Sequence, residues 1–117
     1  MKSDPNLLAA SSLRLLDANN QATSDATRIA SAYLAGYNAL QSVLPRGGAL
    51  NLDDHPLERV VVAAGDRLGL SEKEITTGLT LIAWERQRRL SLSPVPVSVT
   101  EAIAWAKALL DAALKKA

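Results

Sequence analysis

The chain contains no cysteine and no phenylalanine, and its one histidine is His55. Without cysteine, disulfides, thiolate metal sites and a cysteine nucleophile are all excluded. That composition fits a reducing compartment. Aromatic residues are limited to Tyr33, Tyr37, Trp84 and Trp105, which argues against a stacking platform for single-stranded nucleic acid. No apolar run reaches the roughly 18 residues that a membrane-spanning helix needs. The start, Met1 to Pro5, lacks the basic stretch and apolar block of a signal peptide, so a cytoplasmic location is expected. Neither sign of charge is in excess: 13 Lys and Arg stand against 12 Asp and Glu, a formal net charge of +1. Net charge therefore gives no sign of a polyanionic partner.

Alanine and leucine fill the space these absences leave, and both favour helix over sheet. The 117 residues suit one domain, which should bury roughly two-thirds of its unfolded surface without disulfide or metal staples. No fixed repeat and no shift of composition divides the chain. Residues 1–117 are expected to form a single all-α domain, an antiparallel bundle of about five helices.

Five segments carry helical signals. Asp4-Pro5 offers a cap followed by proline at the first helical position. Leu7, Ala10, Leu13 and Leu16 then recur every three residues, with Leu8 and Leu15 beside them, which predicts one apolar face. A second helix is expected from Thr23-Ser24-Asp25 to Leu44, with Ile29, Ala30, Tyr33, Leu34, Tyr37 and Leu40 at helical spacing. Pro45 and Gly47-Gly48 break it. A third starts at Asp54-His55-Pro56 and ends at Gly69; its Val60-Val61-Val62 run suits strands individually, but the proline start and the spacing favour helix. Ser71 and Glu74 form a capping box for the fourth, which should end around Arg89. The prolines between Ser91 and Ser98 predict an extended connection. Ser98 and Glu101 form a second capping box for the last helix, which closes on Lys115 and Lys116 at its negative end.

Little of this sequence carries recognisable chemistry. His55 reads first as a helix-start residue beside Pro56, and no further histidine or cysteine accompanies it as a metal ligand. Gly47-Gly48 is an isolated pair rather than a phosphate loop. No catalytic residue, metal or cofactor is assigned. The most informative local feature is Trp84-Glu85-Arg86-Gln87-Arg88-Arg89. Arg86 continues the stripe of Ile75, Leu79 and Ile82, and Arg89 follows one turn later. An arginine in line with core residues needs a carboxylate, a phosphate or exposure at a helix end. A terminal basic cluster favoured by the helix dipole explains the same residues. Tyr33 and Tyr37, four apart on the second helix, read as packing residues with hydroxyls at the edge. Gly36 between them is costly inside a helix, and predicts close approach of another helix, from this chain or from a second copy.

Taken in order, these features resemble the HEPN family of small helical-bundle proteins. Leu7 to Leu16 look like the family's first helix, and the stretch from Ala32 to Leu40 is similar to its second-helix pattern of small residues and tyrosines. His55-Pro56 looks like its frequent histidine at the start of the third helix. Arg86-Gln87-Arg88-Arg89, the Pro94 to Ser98 connection and the Ala-rich last helix resemble its arginine motif and final helix. Two departures stand out. Ser31 occupies a position where many relatives carry arginine, and no histidine follows Arg86 as it does in the ribonuclease members. The resemblance implies the bundle and a homodimer with Gly36 near the dimer contact. It also implies an anion- or partner-binding role for Arg86, Arg89, Tyr33, Tyr37 and His55. Such modules include ribonuclease toxins of toxin–antitoxin pairs, nucleotide-associated modules and non-catalytic partners of nucleotidyltransferase-like proteins. The expected function is therefore a non-catalytic HEPN-like module that homodimerises and binds a partner protein or nucleic acid, RNA included. A degenerate ribonuclease using Arg86 with Tyr33 or His55, and an unrelated helical adaptor, remain the alternatives.

Overall fold

Each helix begins where a short polar side chain or a proline satisfies or removes a free backbone donor. In the computed structural model, which describes residues 3–44, 56–88 and 94–116, the Asp4 carboxylate accepts from the Asn6 N–H and opens α1 (Pro5–Ala18). Ser24 accepts from the Thr27 N–H and opens α2 (Asp25–Ser42). α3 (Pro56–Leu68) opens on proline. The expected capping boxes are both present: Ser71 with Glu74 ahead of α4 (Glu72–Arg88), and Ser98 with Glu101 ahead of α5 (Val99–Leu114). The described residues contain five helices and no strand. No helix among them is long and apolar enough to cross a membrane.

The valine run lies within α3. Val60, Val61 and Ala64 are buried there, and this burial outweighs the small χ1 cost of β-branched residues in a helix. α2 ends at Ser42, two residues before the expected Leu44, a difference within ordinary fraying. Asp54, His55, Gly47, Gly48 and Arg89 lie outside the described residues.

α2 is the central element and packs against each of the other four helices. Its core face is built from Ile29, Ala32, Tyr33, Ala35, Gly36, Ala39 and Leu40, all buried. The many alanines let neighbouring helices come close. Against them α5 places Trp105, Ala106, Leu109, Leu110 and Ala113. Polar groups left over at the helix ends are answered by donors from elsewhere in the chain. The Ser3 hydroxyl donates to the Ala113 carbonyl at 2.6 Å, the Asp4 N–H to the Ser42 carbonyl at 2.7 Å, and the Arg28 Nε to the Ala18 carbonyl at 2.8 Å. These bonds close the C-terminal ends of α5, α2 and α1 respectively. The buried Ser11 hydroxyl of α1 donates to the Ala35 carbonyl of α2 at 2.7 Å.

The packing of α1 corrects the sequence expectation. Its buried positions are Leu8, Ser11 and Ala18, with Leu15 half-buried, whereas Leu13 and Leu16 are 64% and 69% exposed. A series spaced strictly by three falls short of the 3.6-residue turn and creeps around the helix. Leu7, Ala10, Leu13 and Leu16 therefore slide off the core face, while the alternating four-and-three spacing of Leu8, Ser11, Leu15 and Ala18 stays on it.

At Gly36 the structure shows the first of the two expected alternatives, another helix of the same chain. The close approach it permits is filled within the chain: a Cβ at this position would fall inside the van der Waals envelope of three ring atoms of Trp105. The same indole packs near Gly78 of α4, where a Cβ would lie 3.3 Å from the ring and 3.2 Å from Val61 of α3. Its Nε1 donates to the Glu74 carbonyl of α4 at 2.9 Å.

Gly36→Ala should destabilise the protein despite the better helix propensity of alanine. That propensity is worth about 1 kcal/mol, while forcing a methyl into a filled space costs typically about 1–3 kcal/mol. Urea unfolding should show the net loss, and trimming the ring with Trp105→Leu should make the Gly36→Ala step much less costly in the double variant. An equal cost in both backgrounds would mean that the indole is not what Gly36 accommodates.

Candidate functional site

Three helices bring the chemically distinctive side chains together at one end of α4. Tyr33 and Tyr37, one turn apart on α2, stack with ring centroids 5.9 Å apart and planes inclined at 29°. Tyr33 is buried and Tyr37 half-buried. Arg86, in the last turn of α4, donates from both terminal nitrogens to the two carboxylate oxygens of Glu58, at 2.5 and 3.0 Å. Glu58 belongs to the first turn of α3. Such a fork-to-fork pair fixes orientation as well as charge. It stays in contact with water, because the two side chains are 47% and 36% exposed.

The charges reach the tyrosines. Burial holds the Tyr33 hydroxyl well above the ordinary tyrosine range; neighbouring Tyr37, Glu85 and Glu58 push the same way, and Arg86 opposes them. The Tyr37 hydroxyl is raised too, by burial first and by Glu58 second. At neutral pH both phenols are protonated, and each can act as a hydrogen-bond donor or acceptor but not as a base.

Of the residues singled out in the sequence, Arg86, Tyr33 and Tyr37 thus share one neighbourhood, while His55 and Arg89 fall outside the described residues. Gly36, between the tyrosines, faces Trp105 instead. Glu58 and Glu85 were not anticipated. The signal for Glu58 was indirect: the short connection at Gly69 to Ser71 lets α4 fold back, so that the first turn of α3 meets the last turn of α4. An open groove of about 660 Å³, lined in part by Lys73, Thr76, Thr80, Pro96 and Val97, shares no lining residue with this cluster. Among the described residues no group of three or more His, Asp or Glu side chains is placed to hold a metal ion.

The chain matches no protein-family model, no curated protein and no solved structure. Function has to be argued from the geometry of the chain itself.

Two outcomes follow from this geometry. A double-mutant cycle on Arg86→Ala and Glu58→Ala in thermal or urea unfolding should give a coupling of about 0.2–1 kcal/mol, the range for an exposed pair; zero coupling would show that the pair adds nothing to stability. In alkaline solution, the unfolded chain releases tyrosine protons near the ordinary value of 10.0 while the folded chain retains them. The folded state then binds more protons, so stability falls as pH rises above that value. Tyrosinate absorbance should therefore appear together with unfolding; ionisation of both tyrosines near their ordinary value in a folded protein would contradict their burial.

Proposed function

We propose that the chain is a non-catalytic, HEPN-like antiparallel helical module that forms a homodimer and engages a partner protein through the end of the bundle that carries Tyr33, Tyr37, Glu58 and Arg86. The observation that carries this reading is the bidentate Arg86–Glu58 pair. The arginine charge is already answered by a carboxylate on the neighbouring helix. A phosphate would have to displace Glu58 to use it, against the field of a second carboxylate, Glu85, that acts on the same tyrosines. A protein surface fits this cluster better than a nucleic acid does. It can meet a mixed-charge rim and an exposed, oriented guanidinium by hydrogen bonds, and arginine and tyrosine are the residue types that anchor protein interfaces.

The resemblance in the order of helices, tyrosines and arginine supports the same class and suggests a nucleotidyltransferase-like protein as one kind of partner. The ribonuclease alternative would require a group that exchanges a proton near neutrality. Tyr33 and Tyr37 are shifted away from that range.

End-labelled RNA incubated with the purified chain is expected to stay intact, and any weak binding at low salt should respond little to Arg86→Ala. Cleavage that disappears in Arg86→Ala would reassign the chain as a ribonuclease built on this cluster. Tight RNA binding whose salt dependence weakens in the same variant would make nucleic acid the partner.

A further inference from the structure

α1, α2 and α5 make the most extensive helix–helix packing of the chain. Directional bonds tie the same three helices together. The buried Ser11 hydroxyl joins α1 to α2, and the Arg28 Nε joins α2 to the end of α1. The Asp4 N–H joins the start of α1 to the end of α2, and the Ser3 hydroxyl joins the segment before α1 to the end of α5. α3 and α4 are tied to each other at both ends of their hairpin. At the connection, Gly69 adopts φ +67° and the Leu70 N–H donates to the Gly65 carbonyl at 2.9 Å. Gly65 lies against Ile75 of α4, whose side chain would stand 3.1 Å from a Cβ placed there. At the far end, Arg86 and Glu58 form their two-bonded pair. Between the two groups stands one shared apolar core, to which α3 gives Val60, Val61 and Ala64 and α4 gives Leu81 and Ile82. The Trp105 indole crosses that seam, seated near Gly78 and donating to the Glu74 carbonyl at 2.9 Å. Arg67 of α3 also reaches across, to the Val43 carbonyl at 3.3 Å.

Subdivisions of this kind open at free energies below that of global unfolding, often as whole supersecondary units. We infer that the α3–α4 hairpin opens and closes as one unit against a frame of α1, α2 and α5, with the Trp105 indole as its latch. Apolar burial is non-directional, so the hydrogen bond of the indole and its fit to Gly78 select the closed position. Once released, helices of 13 and 17 residues hold little helix by themselves in water, and opening exposes the α3 and α4 backbone. The device also divides the candidate surface, because Tyr33 and Tyr37 stand on the frame while Glu58 and Arg86 stand on the hairpin. A partner that touches both halves binds the closed state and stabilises it. This consequence rests on the partner surface proposed above, whereas the opening itself does not.

Amide hydrogen exchange of the full chain, followed residue by residue by NMR in low urea, tests the opening without any partner. The α3 and α4 amides should exchange as one set, at least about tenfold faster than the buried amides of α2 and α5. The Trp105 indole N–H should exchange with the hairpin set, because its acceptor leaves with α4, while the backbone N–H of the same residue exchanges with the frame. Ser11→Ala breaks a bond inside the frame and so destabilises the closed and the hairpin-open states alike. It should speed the frame amides about fivefold and leave the hairpin set unchanged. Val61→Ala weakens the closed state alone, and should speed both sets by the same factor. One common rate and one common urea dependence for all five helices, with Ser11→Ala speeding every amide alike, would overturn the hairpin unit. So would α3 and α4 exchanging as two separate sets. An indole N–H that exchanges with the frame would overturn the latch.

Discussion

The indole of Trp105 joins α5 to both α2 and α4, and two glycines are fitted to its bulk. Its ring lies on the bare backbone of Gly36 in α2 and near Gly78 in α4, next to Val61 of α3, and its nitrogen donates to a carbonyl in the first turn of α4. One side chain of α5 thus meets both α2 and α4. Most of the remaining core is alanine, valine and leucine, whose smaller surfaces contribute less apiece. A large aromatic group concentrates buried area and, through its one donor, selects a single orientation. The two glycines are the counterpart of that bulk. Each gives up helix propensity, about 1 kcal/mol relative to alanine, and the space so gained lets two helices close onto the ring.

The organisation of the helices around that contact places the Arg86 cluster. α2 offers Trp105 its glycine and offers the opposite neighbourhood its tyrosines, so one helix serves both core and candidate site. α3 and α4 meet near the ring through Val61 and Gly78 and meet again at the Arg86–Glu58 pair. An ion pair that remains open to water adds little to stability. Its effect is on presentation: the guanidinium is held in one direction, beside neutral tyrosines, with its charge largely answered. Such an arrangement suits recognition by shape and hydrogen bonding more than attraction of a polyanion. On α1, Leu13 and Leu16 stay exposed, outside the core that α2 and α5 complete.

The sequence by itself determined the elements. Proline, the Asp4 and Ser24 caps and the two capping boxes mark helix starts through bonds spanning two or three residues, so local chemistry is enough to read them. It also picked out Arg86, Tyr33 and Tyr37, because an arginine in an apolar stripe and a tyrosine pair at helical spacing are visible in one dimension. What it left open were facts between helices. The spacing of α1 was read as one apolar face, and the packing of α2 and α5 against it shows Leu8 and Leu15 turned inward while Leu13 and Leu16 stay out. Gly36 signalled a close approach without naming its occupant, and Trp105 lies 69 residues further along the chain. Glu58 had no local mark at all: its role comes from a fold-back that brings the start of α3 to the end of α4, 28 residues away. Helix starts are settled by neighbours in sequence, but the partner of a buried ring, a glycine or a charge is settled by which surfaces remain to be covered once all the helices compete for one core, and that competition exists only in three dimensions.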